Sequence, residues 1–434
     1  MKVIAVIPVK YHSTRVKSKN TRLLCDKPLF IHTLDKLLNI KEIDEVWIDT
    51  DNKSVIDLAL DYNCKNFKYF IRDDKLSSNN TCGNKLLENE INNISSDIYL
   101  QVLCTSPFLK EETIIKSIKI LKEKTHTSVI TIFKEKIYKW HKNEPCYNIN
   151  SIPNSVDLDN TIKESMSFYG ITKQEFIKSK NRIGTNPYLL EIDLEESIDI
   201  NYENDFNLAN KISKINFIEE CYSLSLLKLS LNSCILSDIL NDMGYSNCVL
   251  KNFKLNIEGK KLFGRVRPIQ IRPLNKDEDP NDIYKCLESY NNVSPYNIIF
   301  VNNKVENRAY FGDLNATISI SKNAQGTIVN GFTRDISRTI SLDYPVFYKN
   351  NTCSDVKKYG TLDYYDKPIF VEDIKIYVNN LIFADMDGVV IIPKSLENTV
   401  LQKCKEIIIC EGNIANSIII GKTSNEVINK YGFF

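Results

Sequence analysis

The chain has 434 residues, of which 43% are hydrophobic and 26% charged, and its formal net charge is +1. That length exceeds most single domains and points to two. The near-neutral balance excludes a broad electrostatic hold on nucleic acid or on an anionic membrane.

No run of about 18 apolar residues occurs, as a membrane span would need. The start "MKVIAVIPV" is strand-length and is not followed by a small-residue cleavage site. Twelve cysteines are scattered without a CxxC pair, which predicts reduced thiols in a cytoplasmic chain. The four histidines, His12, His32, His126 and His141, all fall in the first third. A metal in the second half would therefore take oxygen ligands, which suits Mg²⁺ or Mn²⁺.

In chain order, "VIAVIPV", "EVWIDTD", "FKYFIR", "IYLQVL" and "SVITIF" read as strands. The intervening "PLFIHTLDKLLNI", "KSVIDLALDYN" and "ETIIKSIKILKEK" carry apolar residues at helical spacing. This alternation predicts a doubly wound, mostly parallel sheet over residues 1–215, with ligands beyond the carboxyl ends of the strands. Residues 216–232, beginning "NFIEECYSLSLLKLS", read as a connecting helix. From 233 to 434 the texture changes to a second α/β domain. Its expected strands are "NIIFVNN", "ATISIS", "GTIVNG", "PVFY", "PIFVEDIKIY" and "LIFADMDGVVIIP", and the chain closes in a helical stretch.

The loop after the first strand, "KYHSTRVKSKNTR", holds Lys10, Arg15, Lys17, Lys19 and Arg22 and no acid, and the first glycine of the chain is Gly83. Such a loop cannot wrap a phosphate with backbone N–H groups. Its side chains can still neutralise a triphosphate and a leaving pyrophosphate; a merely solvated basic loop is the plainer alternative. Near residue 200, "SIDINYENDF" offers Asp199 and Asp205, either as metal ligands or as a strand-end cap and a helix cap.

"IPVKYHSTRVKSKNTRLLCDKPLF" resembles the signature loop of the sugar-acid cytidylyltransferases, the CMP-sialic acid and CMP-Kdo synthetases. "VWIDTD", "IRDDKLS", "LQVLCTSPFL" and "SIDINYENDF" resemble further segments of that family in the same order. The resemblance implies CTP and a keto sugar acid as substrates. It places Lys10, Ser13, Arg15, Lys19, Asn20 and Arg72 at the nucleotide, with Lys19 catalytic, and Gln101 at the sugar. Asp199, also catalytic, would hold Mg²⁺ together with Asn201 and Asp205. Asn201 stands where the family has an aspartate, and Lys10 where it has an arginine. The family also implies dimer contacts through this domain.

In the second half, Asp313 is followed after twenty residues by Arg334 and Asp335. Taken alone, Arg334 and Asp335 would read as a surface ion pair. "FGDLNATISISKNAQGTIVNGFTRD" resembles the active-site segment of the RraA-like family, which includes metal-dependent 4-hydroxy-4-methyl-2-oxoglutarate aldolases. "ILSDILNDMG", "DYPVFYKN" and "LIFADMDGVVIIP" extend that resemblance. It implies a swivelling β/β/α fold, Asp335 as the ligand of Mg²⁺ or Mn²⁺, and Arg334 as the stabiliser of an enolate from pyruvate or another 2-oxo acid. Asp313 would position a water or proton donor. Glu411 would reach a neighbouring subunit's site in a trimer, or would simply be an exposed helix residue.

Together these features describe a bifunctional sugar-nucleotide enzyme that is a homo-oligomer, with no nucleic-acid or membrane partner. The alternative is a cytidylyltransferase for another keto sugar, whose RraA-like domain only binds or assembles.

Overall fold

The computed structural model describes residues 1–78 and 80–432. The chain divides into two compact units, one comprising Met1–Leu60 and Cys64–Ser213 and the other Asp61–Asn63 and Lys214–Phe434.

In the first unit, strands β1 (Val3–Val9), β2 (Glu45–Thr50), β3 (Phe67–Ile71), β4 (Ile98–Val102), β5 (Ser128–Lys136), β6 (Asn160–Thr172) and β7 (Pro187–Glu191) form one sheet in the order β7-β5-β6-β4-β1-β2-β3. β1 runs parallel to both β2 and β4, and β6 inserts antiparallel between β4 and β5. β1 and β4 are buried at nearly every position, as both faces of a covered parallel sheet require. Helices on the faces, such as α1 (Gly83–Asn93), turn an apolar stripe inward: Leu87 and Ile91 pack with Ile4, Val6 and Tyr99. A register shift in β6 between Glu164 and Tyr169 re-aims that strand and sets Tyr169 opposite Gln101.

Helix α2 (Glu203–Ser230) begins well before the expected link at 216 and runs unbroken through most of it. Among the described residues no single helix is long and apolar enough to cross a membrane.

In the second unit, β8 (Leu262–Pro273), β9 (Ile298–Asn303), β11 (Gly326–Thr333) and β12 (Val346–Asn351) lie side by side in parallel, with β10 (Ala309–Phe311) on β11. β13 (Leu381–Ala384) and β14 (Val389–Ile392) extend the other edge antiparallel. Ile298, Phe300, Ile328 and Phe347 form the centre of one core layer. Arg265 on β8 is tied to Glu220 at 2.6 Å and to Glu397 at 2.7 Å, so this charge within an apolar strand is neutralised on both sides.

One expected strand is absent. "ATISIS" belongs to helix α3 (Asp313–Ser321), not to a strand. Its β-branched residues favour a strand, but Gly312 opens a helix there. Ala316 and Ser319, three residues apart, are the buried positions of that helix. Gly331 likewise lies within β11, not at its end. Its φ is +144°, and a Cβ there would stand 2.7 Å from the Asn303 carbonyl oxygen.

Candidate active sites

The basic loop after β1 is held by apolar anchors set between its charges. Val16, Leu24 and Leu29 are buried against Ile200, Phe206 and Ala209, so the loop folds onto the start of α2. Asn20 donates from Nδ2 to the Lys10 carbonyl at 2.8 Å and closes the loop on itself. Asn20 Oδ1 is buried with no donor partner among the described residues. Lys10 and Ser13 are half-buried and Arg15 is exposed.

This folding brings cations and carboxylates together. Lys19, 7% exposed, donates from Nζ to the Ile200 carbonyl at 2.5 Å. Burial lowers its pKa from 10.5, while Cys104, Asp199 and Asp205 nearby act in the opposite sense. Arg15 Nη1 donates to Asn201 Oδ1 at 3.1 Å, and Asn201 Nδ2 donates to Asp199 Oδ2 at 2.6 Å. A second carboxylate at that distance would repel Asp199; the amide binds it instead. Asp205 Oδ2 accepts from the backbone N–H of Asn201 and of Tyr202 and so caps the start of α2.

Among the described residues no three His, Cys, Asp or Glu side chains gather as a metal-binding group. The carboxylates of Asp199 and Asp205 with the amide of Asn201 still fit Mg²⁺, which usually takes one or two carboxylates and completes its shell with phosphates and water.

Arg72 and Gln101 are both turned inward. Arg72 lies 3.1 Å from Asp49 Oδ1 and donates to the Asp49 carbonyl at 2.6 Å. Gln101 is fully buried: its Nε2 donates to both oxygens of Glu90 at 3.1 and 3.2 Å, and its Oε1 accepts from Arg182 Nη1 at 3.2 Å.

The sequence reading missed Glu90 and Arg182. The signal for Glu90 was present, because it shares the apolar face of α1 with Leu87 and Ile91. Arg182 sits in a loop and carried none. Burial, with Asp49 alongside, pushes the Glu90 carboxyl from 4.5 up to about 8; burial also raises Asp49, to about 6, against the pull of Arg72. Between about pH 4.5 and about pH 8 the folded chain therefore holds a proton that the unfolded chain releases, so this contribution to stability is lost as pH rises. Glu90→Gln should flatten the dependence. Its melting temperature relative to the parent should climb between about pH 5.5 and about pH 8.5. Fluorescence of Trp47 and Trp140 reports this, since both tryptophans lie in the first unit. A difference that stayed constant with pH would place the proton elsewhere.

In the second unit, β10 and β11 are parallel neighbours, and both end at the candidate site. β10 leads through Gly312 into Asp313, and β11 leads into Arg334 and Asp335. A Cβ on Gly312 would stand 2.5 Å from Asp335 Oδ2 and 3.2 Å from the Arg334 side chain, so only glycine lets the two strand ends close up. Asp335 has φ +56°, a left-handed conformation that aspartate tolerates better than most residues. Arg334 lies 3.4 Å from Asp335 and 2.7 Å from Asp355, and Arg338 lies 3.7 Å from Asp313. Asp355 had no motif to mark it; a backbone bridge to Ala309 brings it here. Asp335, with Asp313 close by, fits a Mg²⁺ ion that shares its shell with a 2-oxo acid and water. Glu411 is exposed on helix α4 (Glu397–Ile419). Arg265 and Arg267 on β8 are both paired with acids, Arg267 with Asp366 at 3.6 Å.

The model of the cytidylyltransferase family matches residues 4–232. The CMP-N,N'-diacetyllegionaminic acid synthase of Legionella pneumophila is 31% identical over 50% of this chain and 98% of its own length. The chain belongs to the cytidylyltransferase family. The RraA-like family, described as Aldolase/RraA, matches residues 233–391 of this cytidylyltransferase. A candidate 4-hydroxy-4-methyl-2-oxoglutarate aldolase of Halalkalibacterium halodurans is 31% identical over 40% of the chain and 78% of its own length, so the cytidylyltransferase carries an RraA-like second part. Protein DlpA of Legionella pneumophila is 26% identical over 51% of the chain, which spans only 36% of that relative.

Proposed function

We propose that the first unit transfers the CMP group of CTP to a 2-keto sugar acid and releases pyrophosphate. The observation that carries this is the meeting of Lys19 and Arg15 with Asp199 and Asn201 at the carboxyl end of β1. In the reaction a sugar hydroxyl oxygen bonds to the α-phosphorus, the bond from that phosphorus to the bridging oxygen of the β-phosphate breaks, pyrophosphate leaves, and the hydroxyl proton passes to water. Lys10, Arg15 and Lys19 neutralise the triphosphate and the charge growing on pyrophosphate. The buried Asn20 Oδ1 accepts from a nucleotide N–H or O–H. Ser13 and Asn20 line the same loop, and Asp199, Asn201 and Asp205 would hold Mg²⁺. The ion, when bound, offsets phosphate charge and lowers the pKa of the attacking hydroxyl.

The assay is Mg²⁺-dependent pyrophosphate release from CTP across a panel of ulosonic acids and keto sugars. No release with any of them sinks the proposal. Asn201→Asp adds a further carboxylate, so it should lower the Mg²⁺ concentration for half-maximal rate by about tenfold, a gain on the order of 1 kcal/mol from one added charge. A titration that does not move would remove Asn201 from the metal site.

For the second unit we propose metal-dependent cleavage or formation of a C–C bond beside a 2-oxo acid. Asp335 would hold the ion, and the Arg334 fork would stabilise the enolate left when the C3–C4 bond breaks. Asp313 would hold the water or proton donor that returns a proton to the enolate carbon. Aldol addition of pyruvate to an aldehyde yields a 2-keto-3-deoxy acid, the class of compound the first unit would activate. A non-catalytic binding or oligomerisation role is the second reading, and it is favoured by the ion pairs that occupy Arg334 and Asp313. The functional division is proposed at 1–215, 216–232 and 233–434, in a homo-oligomer with dimer contacts through the first part and trimer contacts, involving Glu411, through the second.

A further inference from the structure

We propose that the outward face of helix α2 docks against the same face of a second copy of this chain, the two helices packing side by side about a two-fold axis. This contact is additional to those proposed above for the two parts.

Helix α2 carries apolar residues on two opposite sides. Phe206, Ala209, Phe217, Cys221 and Leu224 are buried within the chain. Facing away from them, Leu208, Ile215, Ile218, Tyr222, Leu226 and Leu229 are between 45% and 75% exposed. A surface helix ordinarily turns polar and charged residues outward, and one that is apolar on every side belongs in a buried position. Between Leu208 and Leu229 only Lys211 and Glu219 interrupt the outward stripe.

The spacing is regular. Leu208, Ile215, Tyr222 and Leu229 follow one another at intervals of seven residues. Seven residues fall about 20° short of two full turns, so the stripe stays on one side along the whole helix. Ile218 and Leu226 fill the gaps at three- and four-residue steps and make the ridge continuous. Apolar residues at this repeat form the seam between paired helices, where each side chain enters a hole on the facing helix.

Area and charge identify the occupant. The exposed parts of these side chains amount to about 600 Å², the upper end of what a monomer leaves open in one patch. A pair of copies would cover roughly 1,200 Å², which reaches the size of a specific interface. A second copy carries a ridge of the same repeat and length, as a two-fold contact between identical patches requires. Charge argues against a lipid surface. A helix that lies on a membrane is rich in Lys and Arg, whereas α2 sets Glu203, Asp205, Glu219 and Glu220 against Lys211, Lys214 and Lys228.

The test uses the full chain. Its mass in solution, measured by light scattering at micromolar concentration, should fall to half that of the parent when Ile215→Glu and Tyr222→Glu are combined. Lys214→Glu, exposed but about a quarter turn from the stripe, should leave the mass unchanged. A second measurement carries the test if the double variant fails to fold. Tyr222→p-benzoylphenylalanine is irradiated in a mixture of ¹⁵N-labelled and unlabelled chains, and the linked peptides are identified by mass spectrometry. Links that join a labelled to an unlabelled chain within helix α2 are expected. A monomeric parent, an unchanged mass in the folded double variant, or links that stay within one chain or reach another part of the second copy overturn the proposal. So does binding of the parent to phosphatidylcholine–phosphatidylserine vesicles that the double variant loses, which would assign the stripe to lipid. Pyrophosphate release plays no part in these readouts, so failure of the cytidylyl-transfer reading leaves this proposal standing.

Discussion

Lys19→Met is expected to cut kcat/KM for CTP-dependent pyrophosphate release by about 100- to 1000-fold, the usual loss when one preorganised charge facing a developing anion is removed. Lys19 is buried and anchored on the Ile200 carbonyl, so its ammonium cannot be replaced by a neighbour swinging in. Asp199→Ala should be at least as damaging and should also raise the Mg²⁺ concentration for half-maximal rate by at least about tenfold, because the ion loses a carboxylate ligand. The pH dependence carries a sign. Burial lowers the Lys19 pKa from 10.5, so the alkaline loss of activity should begin below the value of a free lysine and should move upward in Lys19→Arg, whose guanidinium stays protonated. Retention of the parent rate by folded Lys19→Met, with unchanged tryptophan fluorescence, would remove the phosphate role of this loop.

The second large effect is expected in the RraA-like part. Asp335→Ala should remove metal-dependent release of pyruvate from 2-keto-3-deoxy acids, a loss on the order of 1000-fold if the ion supplies several kcal/mol of charge stabilisation. Gly312→Ala should mimic it without removing a functional group. The new methyl would stand 2.5 Å from Asp335 Oδ2, and the carboxylate or the strand end must move to admit it. Asp355→Asn should have a smaller effect, since it loosens Arg334 without touching Asp335. Pyruvate release that ignored both EDTA and Asp335→Ala would leave this unit as a binding or assembly module. Pyrophosphate release by the first unit would be unaffected by that outcome, so the two activities can be judged separately.

The alternation of strands and helices in the first half was legible because period-two and period-3.6 patterns reflect which faces are buried. The mixed sheet, with its antiparallel β6, was not, since strand direction depends on where the chain returns and not on local pattern. The stretch "ATISIS" shows the limit within one element. Its β-branched residues favour a strand, yet the glycine before Asp313 and the two buried small residues one turn apart make a helix.

By itself the sequence determined the residue types at each site and their order: the glycine-free basic loop, Asp199 with Asn201, and Asp313 with Arg334 and Asp335. Only the tertiary structure decided what those groups touch. It bonded Asp205 to the backbone at the start of α2, buried Arg72 against Asp49, enclosed Gln101 between Glu90 and Arg182, and brought Asp355 to Arg334. The physical reason is distance: charge and hydrogen bonding act over a few ångströms, and these partners come within that range only when separate strand ends meet.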